Sequence, residues 1–277
     1  MKIPFTKMQG LGNDFVVFDF VNHPAEISNE QFAQIADRRF GIGCDQILII
    51  EPSNEAGVDF HYRIHNADGS EVGQCGNGAR CVVEFARAKG LSNKTSIVVS
   101  TSSGLMTLES LGDHQVKVNM GLIKFEPEYI PFISDQIQET YLLNVAGEEV
   151  TVSVANIGNP HALILVEDID TAPVDHLGPA IESHPQFPER VNVGFMQILS
   201  RKAVNLRVFE RGAGETLACG SGACAAVALG QKLGLLDEEV HVNLPGGSLR
   251  IQHKALEPIY MTGLAHFVFD GVYQLES

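Results

Sequence analysis

YRIHNADGSEVGQCGNGARCVV, residues 62–83, lies over LRVFERGAGETLACGSGACAAV, residues 206–227, without a gap. Arg63 meets Arg207, Glu71 meets Glu215 and Cys75 meets Cys219. Gly76, Gly78, Ala79 and Val83 then meet Gly220, Gly222, Ala223 and Val227, giving seven identities in 22 positions. Identities clustered on a cysteine mark an internal repeat. Upstream, Gly43, Gln46, Ile47 and Leu48 resemble Gly194, Gln197, Ile198 and Leu199, and Gly12-Asn13 resembles Gly158-Asn159. Three matches in one order at near-equal spacing imply a duplicated domain.

Each copy has the same expected elements. In the first, Asp14–Phe20 is rich in strand formers, and Ser28 with Gln31 forms a capping box before a short helix. Strands follow at Gln46–Ile50 and Val58–His65. A helix over Gly76–Lys89 ends at Gly90, and strands come at Thr95–Thr101, Leu105–Ser110 and Gln115–Met120. The second copy offers strand His161–Val166, a helix near Val174–Ser183, strands Val193–Leu199 and Ala203–Phe209, and helix Gly220–Leu233. Strands Glu239–Leu244, Ser248–His253 and Pro258–Thr262 close it. Strands outnumber helices, and one long helix in each copy starts right after a cysteine. The expected class is α+β: two pseudo-symmetric duplicated domains, each a hairpin-rich mixed or antiparallel sheet curled around a central helix. A Rossmann fold is excluded, because no G-x-G-x-x-G opens a βαβ unit.

Composition narrows the partners. The 277 residues suit two domains of about 100–150 residues each. Lys and Arg number 19 against 34 Asp and Glu, a formal charge of −15. So acidic a chain with no basic patch repels nucleic acid and anionic membranes. No apolar stretch is long enough to span a bilayer, and no secretory signal is visible. The five cysteines, Cys44, Cys75, Cys81, Cys219 and Cys224, are odd in number and match no zinc spacing. Reduced thiols, a cytoplasmic location and no metal are expected.

The two Cys-Gly-x-Gly segments carry the chemistry. Glycines at the start of a helix let a ligand approach N–H groups that have no helical partner. Such an end binds a carboxylate and stabilises a thiolate. Two such helix ends facing one substrate across a cleft would place a thiol on each side of one carbon, with backbone N–H groups on its carboxylate. That suits inversion of an amino-acid α-carbon: one thiolate removes a proton and the opposite thiol returns one to the other face. The proton is very weakly acidic, so the site needs preorganised donors and close placement of the base. No pyridoxal or other cofactor is implied. Buried structural cysteines, a redox dithiol, and a nucleophilic thiol with His161 as base stand beside this reading.

The residues also resemble a known family. Gly10–Phe15, Gly41–Gln46, Asn66–Glu71, Gln74–Cys81, Gly158–His161, Arg190–Phe195 and Glu210–Ala223 are similar to segments of the diaminopimelate epimerase family. The resemblance implies a cofactor-independent enzyme interconverting LL- and meso-diaminopimelate for lysine and peptidoglycan synthesis. It implies domains at 1–119 plus 265–277 and at 120–264, with the active site in the cleft between them and a homodimer as the usual assembly. By motif, Cys75 and Cys219 are the proton-transfer pair. The amides of Gly76, Asn77, Gly220 and Ser221 hold the reacting carboxylate. Asn13, Gln46, Asn66, Asn159, Asn192, Glu210 and Arg211 line the site.

Physical chemistry gives these residues roles. Arg211 can grip a second carboxylate bidentately, with Asn66 and Asn192 adding donors. Glu210 can offset an ammonium or orient a thiol, and His161 can support one thiol. A surface ion pair for Glu210–Arg211, a core histidine at His161, and plain turn residues at Asn13 and Asn159 are the structural alternatives. Gln9, Cys44 and Gly73 depart from the family pattern, which leaves room for another amino acid as substrate. A non-catalytic amino-acid-binding or redox-sensing thiol protein is the alternative of a different class.

Overall fold

Each repeat builds one pattern of strand pairing around one buried helix. The computed structural model describes residues 1–73, 76–145 and 147–275. The chain divides into two compact units, Met1–Asn119 with Thr262–Ser277, and Met120–Met261.

In the first unit, β1 (Lys2–Gly10) pairs antiparallel with β2 (Asn13–Asp19). Helix α1 (Asn29–Ala36) crosses over to β3 (Gln46–Pro52), which runs parallel to β2. The expected capping box is present: Ser28 caps the Gln31 N–H, and the Gln31 side chain caps Ser28. Strand β4 (Phe60–Asn66) returns antiparallel to β3, and β5 (Glu71–Val72) folds back on it. Helix α2 (Gly76–Ala88) crosses over to β6 (Ser96–Thr101), parallel to β4. The hairpins β6–β7 (Gly104–Gly112) and β7–β8 (Gln115–Asn119) complete the run.

The second unit repeats this. Strand β9 (Tyr141–Val145) pairs with the first half of β10 (Glu148–Asn156), whose second half pairs antiparallel with β11 (Pro160–Leu165). Helix α3 (Val174–Glu182) crosses over to β12 (Asn192–Ser200), parallel to β11. Strand β13 (Ala203–Glu210) returns antiparallel, and β14 (Gly214–Thr216) folds back on it. Helix α4 (Gly220–Lys232) crosses over to β15 (Glu239–Leu244), parallel to β13, and β16 (Gly247–Gln252) makes the hairpin. Strand β17 (Tyr260–Leu264) leads back to the first unit, where β18 (His266–Gln274) pairs antiparallel with β1.

The expected class therefore holds: sheet-rich α+β, duplicated, with one central helix per copy. Nine residues of α2 and ten of α4 are buried, so both helices are covered nearly all round, as central helices must be. Each fully buried Val or Leu on them contributes about 2 kcal/mol by leaving water. Strands β1, β5, β9, β10 and β14 had no counterpart in the sequence reading.

The ladders also correct one alignment. Ile49 faces Arg63 and Phe195 faces Arg207. With Arg63 matched to Arg207, counting back three residues along β3 and β12 matches Gln46 to Asn192, not to Gln197. The likeness of Gly43–Leu48 to Gly194–Leu199 is a coincidence of letters. Phe15 faces Gln46 and His161 faces Asn192, so Asn13 does match Asn159.

Candidate active site

Cys219 is the N-cap of α4 and is 3% exposed. Its extended backbone (φ −113°, ψ 107°) ends the incoming chain, and its carbonyl accepts the first helical bond, from Ala223. The N–H groups of Gly220 and Ser221 lie in the first turn, where helix geometry supplies no carbonyl. The Gly222 N–H is directed at the Cys219 sulfur.

Glu210 ends β13, and the turn that follows uses positive φ at Gly212 and Gly214 to bring β14 back alongside. The Cys219 thiol donates to Glu210 Oε2 at 3.0 Å, and the Thr216 hydroxyl donates to Oε1 at 2.5 Å. Burial, then the charge and hydrogen bond of Glu210, push the Cys219 thiol well above its ordinary range. Ser221 and the Gly222 N–H pull the other way. The resting group is a thiol whose proton already points at a carboxylate.

His161 is the second residue of β11, two residues after Asn159. Its Nε2 lies 3.0 Å from Asn159 Oδ1 and 3.1 Å from Ser221 Oγ. Asn159 Nδ2 donates to the same Ser221 oxygen at 3.3 Å. Burial, with help from the charge of Arg211, pushes His161 down to about 3, so it is a neutral imidazole. One connected set thus joins Thr216, Glu210, Cys219, Ser221, His161 and Asn159.

Asn192 faces His161 across the β11–β12 ladder and is buried. Its Nδ2 donates to the Pro160 carbonyl at 2.9 Å, and its Oδ1 accepts the Arg211 N–H at 3.0 Å. It therefore ties the His161 strand to the Arg211 turn. The Arg211 guanidinium donates to the Glu189 carbonyl at 2.9 Å. Glu182, buried at the end of α3, accepts the Gly212 N–H at 2.7 Å and holds the same turn from behind.

In the first unit the matching positions are filled differently. Asn13 follows a turn with positive φ at Leu11 and Gly12, and its Nδ2 donates to Asp45 at 2.9 Å. Gln46 donates to Asn66 Oδ1 at 3.0 Å, while its buried Oε1 has no hydrogen-bond partner among the described residues. Asn66 Nδ2 reaches the Ser70 hydroxyl at 3.3 Å. Gly76 opens α2, and Asn77 accepts from the fully buried Arg80 at 3.0 Å. Arg80 also donates to the Leu264 carbonyl at 3.1 Å. Cys75, the other expected proton-transfer thiol, lies outside the described residues. Cys44 is buried in the core, where desolvation first of all raises its thiol to about 12, so it is inert at neutral pH.

Sequence reasoning missed Thr216, Glu182 and the ion cluster beneath Asn13. Thr216 had a signal: it stands where the first copy carries Val72, a hydroxyl replacing an apolar residue in a matched strand. Glu182 had none, because it acts through a backbone N–H. Among the described residues no group of three or more His, Cys, Asp and Glu side chains is placed to hold a metal ion. Among them, too, no helix is long and apolar enough to cross a membrane.

Comparison with known proteins adds family and fold. The family model described as Diaminopimelate epimerase matches residues 5–126 and 153–268. A phenazine biosynthesis protein of the PhzF family from Bacillus anthracis superposes with a TM-score of 0.72 at 14% identity, over 99% of this chain and 100% of that one. A hydroxyproline epimerase from Agrobacterium vitis, with bound trans-4-hydroxy-L-proline, gives 0.72 at 15% identity, over 98% and 92%. A probable proline racemase from Agrobacterium radiobacter gives 0.69 at 16% identity, over 99% and 93%. At such identities these structures establish the shared fold.

Proposed function

This chain belongs to the diaminopimelate epimerase family, and from that premise we propose that it interconverts LL- and meso-diaminopimelate with two cysteines and no cofactor. The observation that carries the reading is the Cys219 thiol at the N-cap of α4, donating at 3.0 Å to the Glu210 carboxylate. A thiol so held can act in both directions. As acid, it gives its proton to a carbanionic α-carbon and becomes a thiolate. As base, it first passes its proton to Glu210, and the thiolate then takes the α-proton. Cys75, its match in the repeat, performs the complementary transfer on the opposite face of the carbon. The first-turn N–H groups of α4 and α2 hold the reacting carboxylate and stabilise the charge that develops on it.

The substrate carries a second amino-acid head. Arg211, with its turn fixed by Asn192 and Glu182, offers a guanidinium for that head's carboxylate. Asn66 and Gln46, already bonded to each other, offer further polar groups. The likeness to a hydroxyproline epimerase makes another amino acid the second reading. The protein is read as cytoplasmic and as a homodimer.

The test is incubation of the reduced protein with LL-diaminopimelate in D2O, followed by NMR and chiral analysis. Meso product carrying deuterium at one α-carbon is expected, with loss of turnover in Cys75→Ala and Cys219→Ala. No exchange with diaminopimelate, but exchange with a different amino acid, would transfer the reading to that substrate.

A further inference from the structure

Ser221 stands at the centre of the connected set and has more to do than present its backbone N–H. Its hydroxyl oxygen has three described neighbours: Asn159 Nδ2 at 3.3 Å, His161 Nε2 at 3.1 Å and Cys219 Sγ at 3.6 Å. Asn159 Oδ1, 3.0 Å from His161 Nε2, can only accept. A neutral imidazole carries one hydrogen, and this contact places it on Nε2. The Asn159 amide offers a hydrogen to the Ser221 oxygen as well. Neither nitrogen can therefore accept from the Ser221 hydroxyl: Asn159 Nδ2 only donates, and His161 Nε2 carries its one hydrogen, shared between Asn159 Oδ1 and the Ser221 oxygen. The single hydroxyl hydrogen is left with one acceptor among these neighbours, the sulfur of Cys219, at a reach normal for sulfur.

Among the described residues, the matching positions of the first unit are filled differently. Matched strand for strand, Phe15 stands where His161 is, and Asn77 stands where Ser221 is, its Oδ1 taken up by Arg80. Asn159 has its counterpart in Asn13, whose amide is bound to Asp45 instead. The two halves of the repeat have diverged at the residues that surround the Cys219 sulfur.

We propose that the Ser221 hydroxyl is a catalytic residue, a fixed hydrogen-bond donor to the Cys219 sulfur that stabilises its thiolate, with Asn159 and His161 as the positioning residues that aim it. The need is plain from the surroundings. The groups facing the sulfur are the Glu210 carboxylate from β13 and, through Ser221, the neutral His161 from β11. When Cys219 gives its proton to the α-carbon, Glu210 stays a carboxylate that repels the new thiolate, and burial removes the water that would compensate. In that direction the Ser221 O–H and the Gly222 N–H are the donors that remain on the sulfur. Both act to lower the thiol, against burial and Glu210.

The inference rests on Cys219 being the proton-transfer thiol, but its test needs no substrate. In Cys75→Ser protein, the rate of Cys219 alkylation by iodoacetamide is followed against pH and read by peptide mass spectrometry. His161, held at about 3, does not titrate in the range used. Removing one hydrogen bond to a charged sulfur in Ser221→Ala should raise the midpoint by about one pH unit and slow alkylation below it about tenfold. Ser221→Thr, which keeps the hydroxyl, should restore the wild-type profile, and His161→Phe should shift it in the direction of Ser221→Ala. On wild-type Cys75, Ser221→Ala should lower kcat with KM within about twofold, because the N–H that holds the carboxylate is retained. An unchanged alkylation profile in Ser221→Ala, or a Ser221→Thr profile no better than that of Ser221→Ala, overturns the proposal. Wild-type protein that exchanges no amino acid in D2O overturns the epimerase reading instead, and the alkylation result still decides the role of Ser221.

Discussion

Asp14 shows how much of a site can be built beneath the residues proposed to touch substrate. Its carboxylate is bound by Lys7 Nζ at 2.5 Å and by both terminal nitrogens of Arg38, at 2.6 and 3.1 Å. Lys7 also donates to the Gly43 carbonyl, and Arg38 reaches Asp45 at 2.8 Å. Asp45 in turn holds Asn13. Burial alone would raise the Asp14 carboxyl, but Arg38 and Lys7 outweigh it and bring it down to about 2. A carboxylate lowered in the folded state contributes stability above its unfolded value and loses it as pH falls through the folded value. From about 4 unfolded to about 2 folded, the contribution is about 2 kcal/mol, complete above about pH 5. Urea unfolding of wild type and Asp14→Asn should therefore show a stability gap that is widest from pH 5 upward and narrows as pH falls toward 2. A gap independent of pH would mean that the charge of Asp14 adds nothing to stability.

At the scale of elements, helices α2 and α4 are legible because a Cys-Gly-x-Gly start, an apolar run and a following Gly agree locally. Helix α1 is legible for the same reason, through its capping box. Strands β1, β9 and β10 are not, because a strand is defined by its partner: β1 contains Pro4 and two lysines, and its pairing with β18 joins opposite ends of the chain. The match of Gln46 to Gln197 failed for a related reason, since register is set by the ladder and not by letters. In the site, the legible residues were Glu210 and Ser221, which touch the Cys219 sulfur, and His161 and Asn159, which touch the Ser221 hydroxyl. Glu182 and Asp45, which work through other residues, were not. The glycines were read as room for a ligand, yet two of them serve packing. A Cβ on Gly78 would meet Tyr62 Oη at 2.5 Å. One on Gly222 would meet Cys219 Sγ at 3.2 Å and Val208 Cγ2 at 3.1 Å. Gly222→Ala gains about 1 kcal/mol of helix propensity, which offsets the crowding. Its melting temperature should stay close to wild type while kcat falls by about tenfold or more, because the sulfur must give way. Calorimetry and steady-state kinetics on the same preparation check this. Full activity would show that the sulfur sits loosely enough to move without consequence.

At the scale of the whole molecule, the duplication explains why one strand matters more than its length suggests. The matched runs β2–β7 and β11–β16 each carry one parallel crossover over α1 or α3 and a second over α2 or α4. Strand β18 belongs to neither copy and is added to β1 from the far end of the sequence. It is fastened there by Asp270, which takes Thr6 at 2.5 Å and Lys89 at 2.6 Å. Yet Phe267, Val268, Phe269 and Val272 on it are all exposed. Phe267 and Val272, opposite Met8 and Pro4, share one face of the strand, while Phe269, opposite Lys7, lies on the other; exposed apolar side chains together on one face are of the kind that marks an interface. A second copy of the chain is the partner proposed for it, and net charge sets the terms. Each chain carries −15, so two copies repel, and the contact must be apolar where they meet. Salt shortens the reach of that repulsion to about 8 Å at physiological strength. The dimer should therefore tighten as salt rises, the reverse of an interface held by ion pairs. Sedimentation should give twice the 30.0 kDa chain mass for the wild type, with a dissociation constant that falls with added salt. Phe269 is already packed edge-to-face on Phe5 at 5.9 Å, so Phe267, which is not in that pair, is the residue to change. Phe267→Glu places a further negative charge in the patch on each copy. It should give a folded monomer, with an unchanged near-ultraviolet circular dichroism spectrum. A Phe267→Glu protein that stays dimeric would place the contact on another face, and a wild type that sediments as a single chain at every salt concentration would end the dimer proposal.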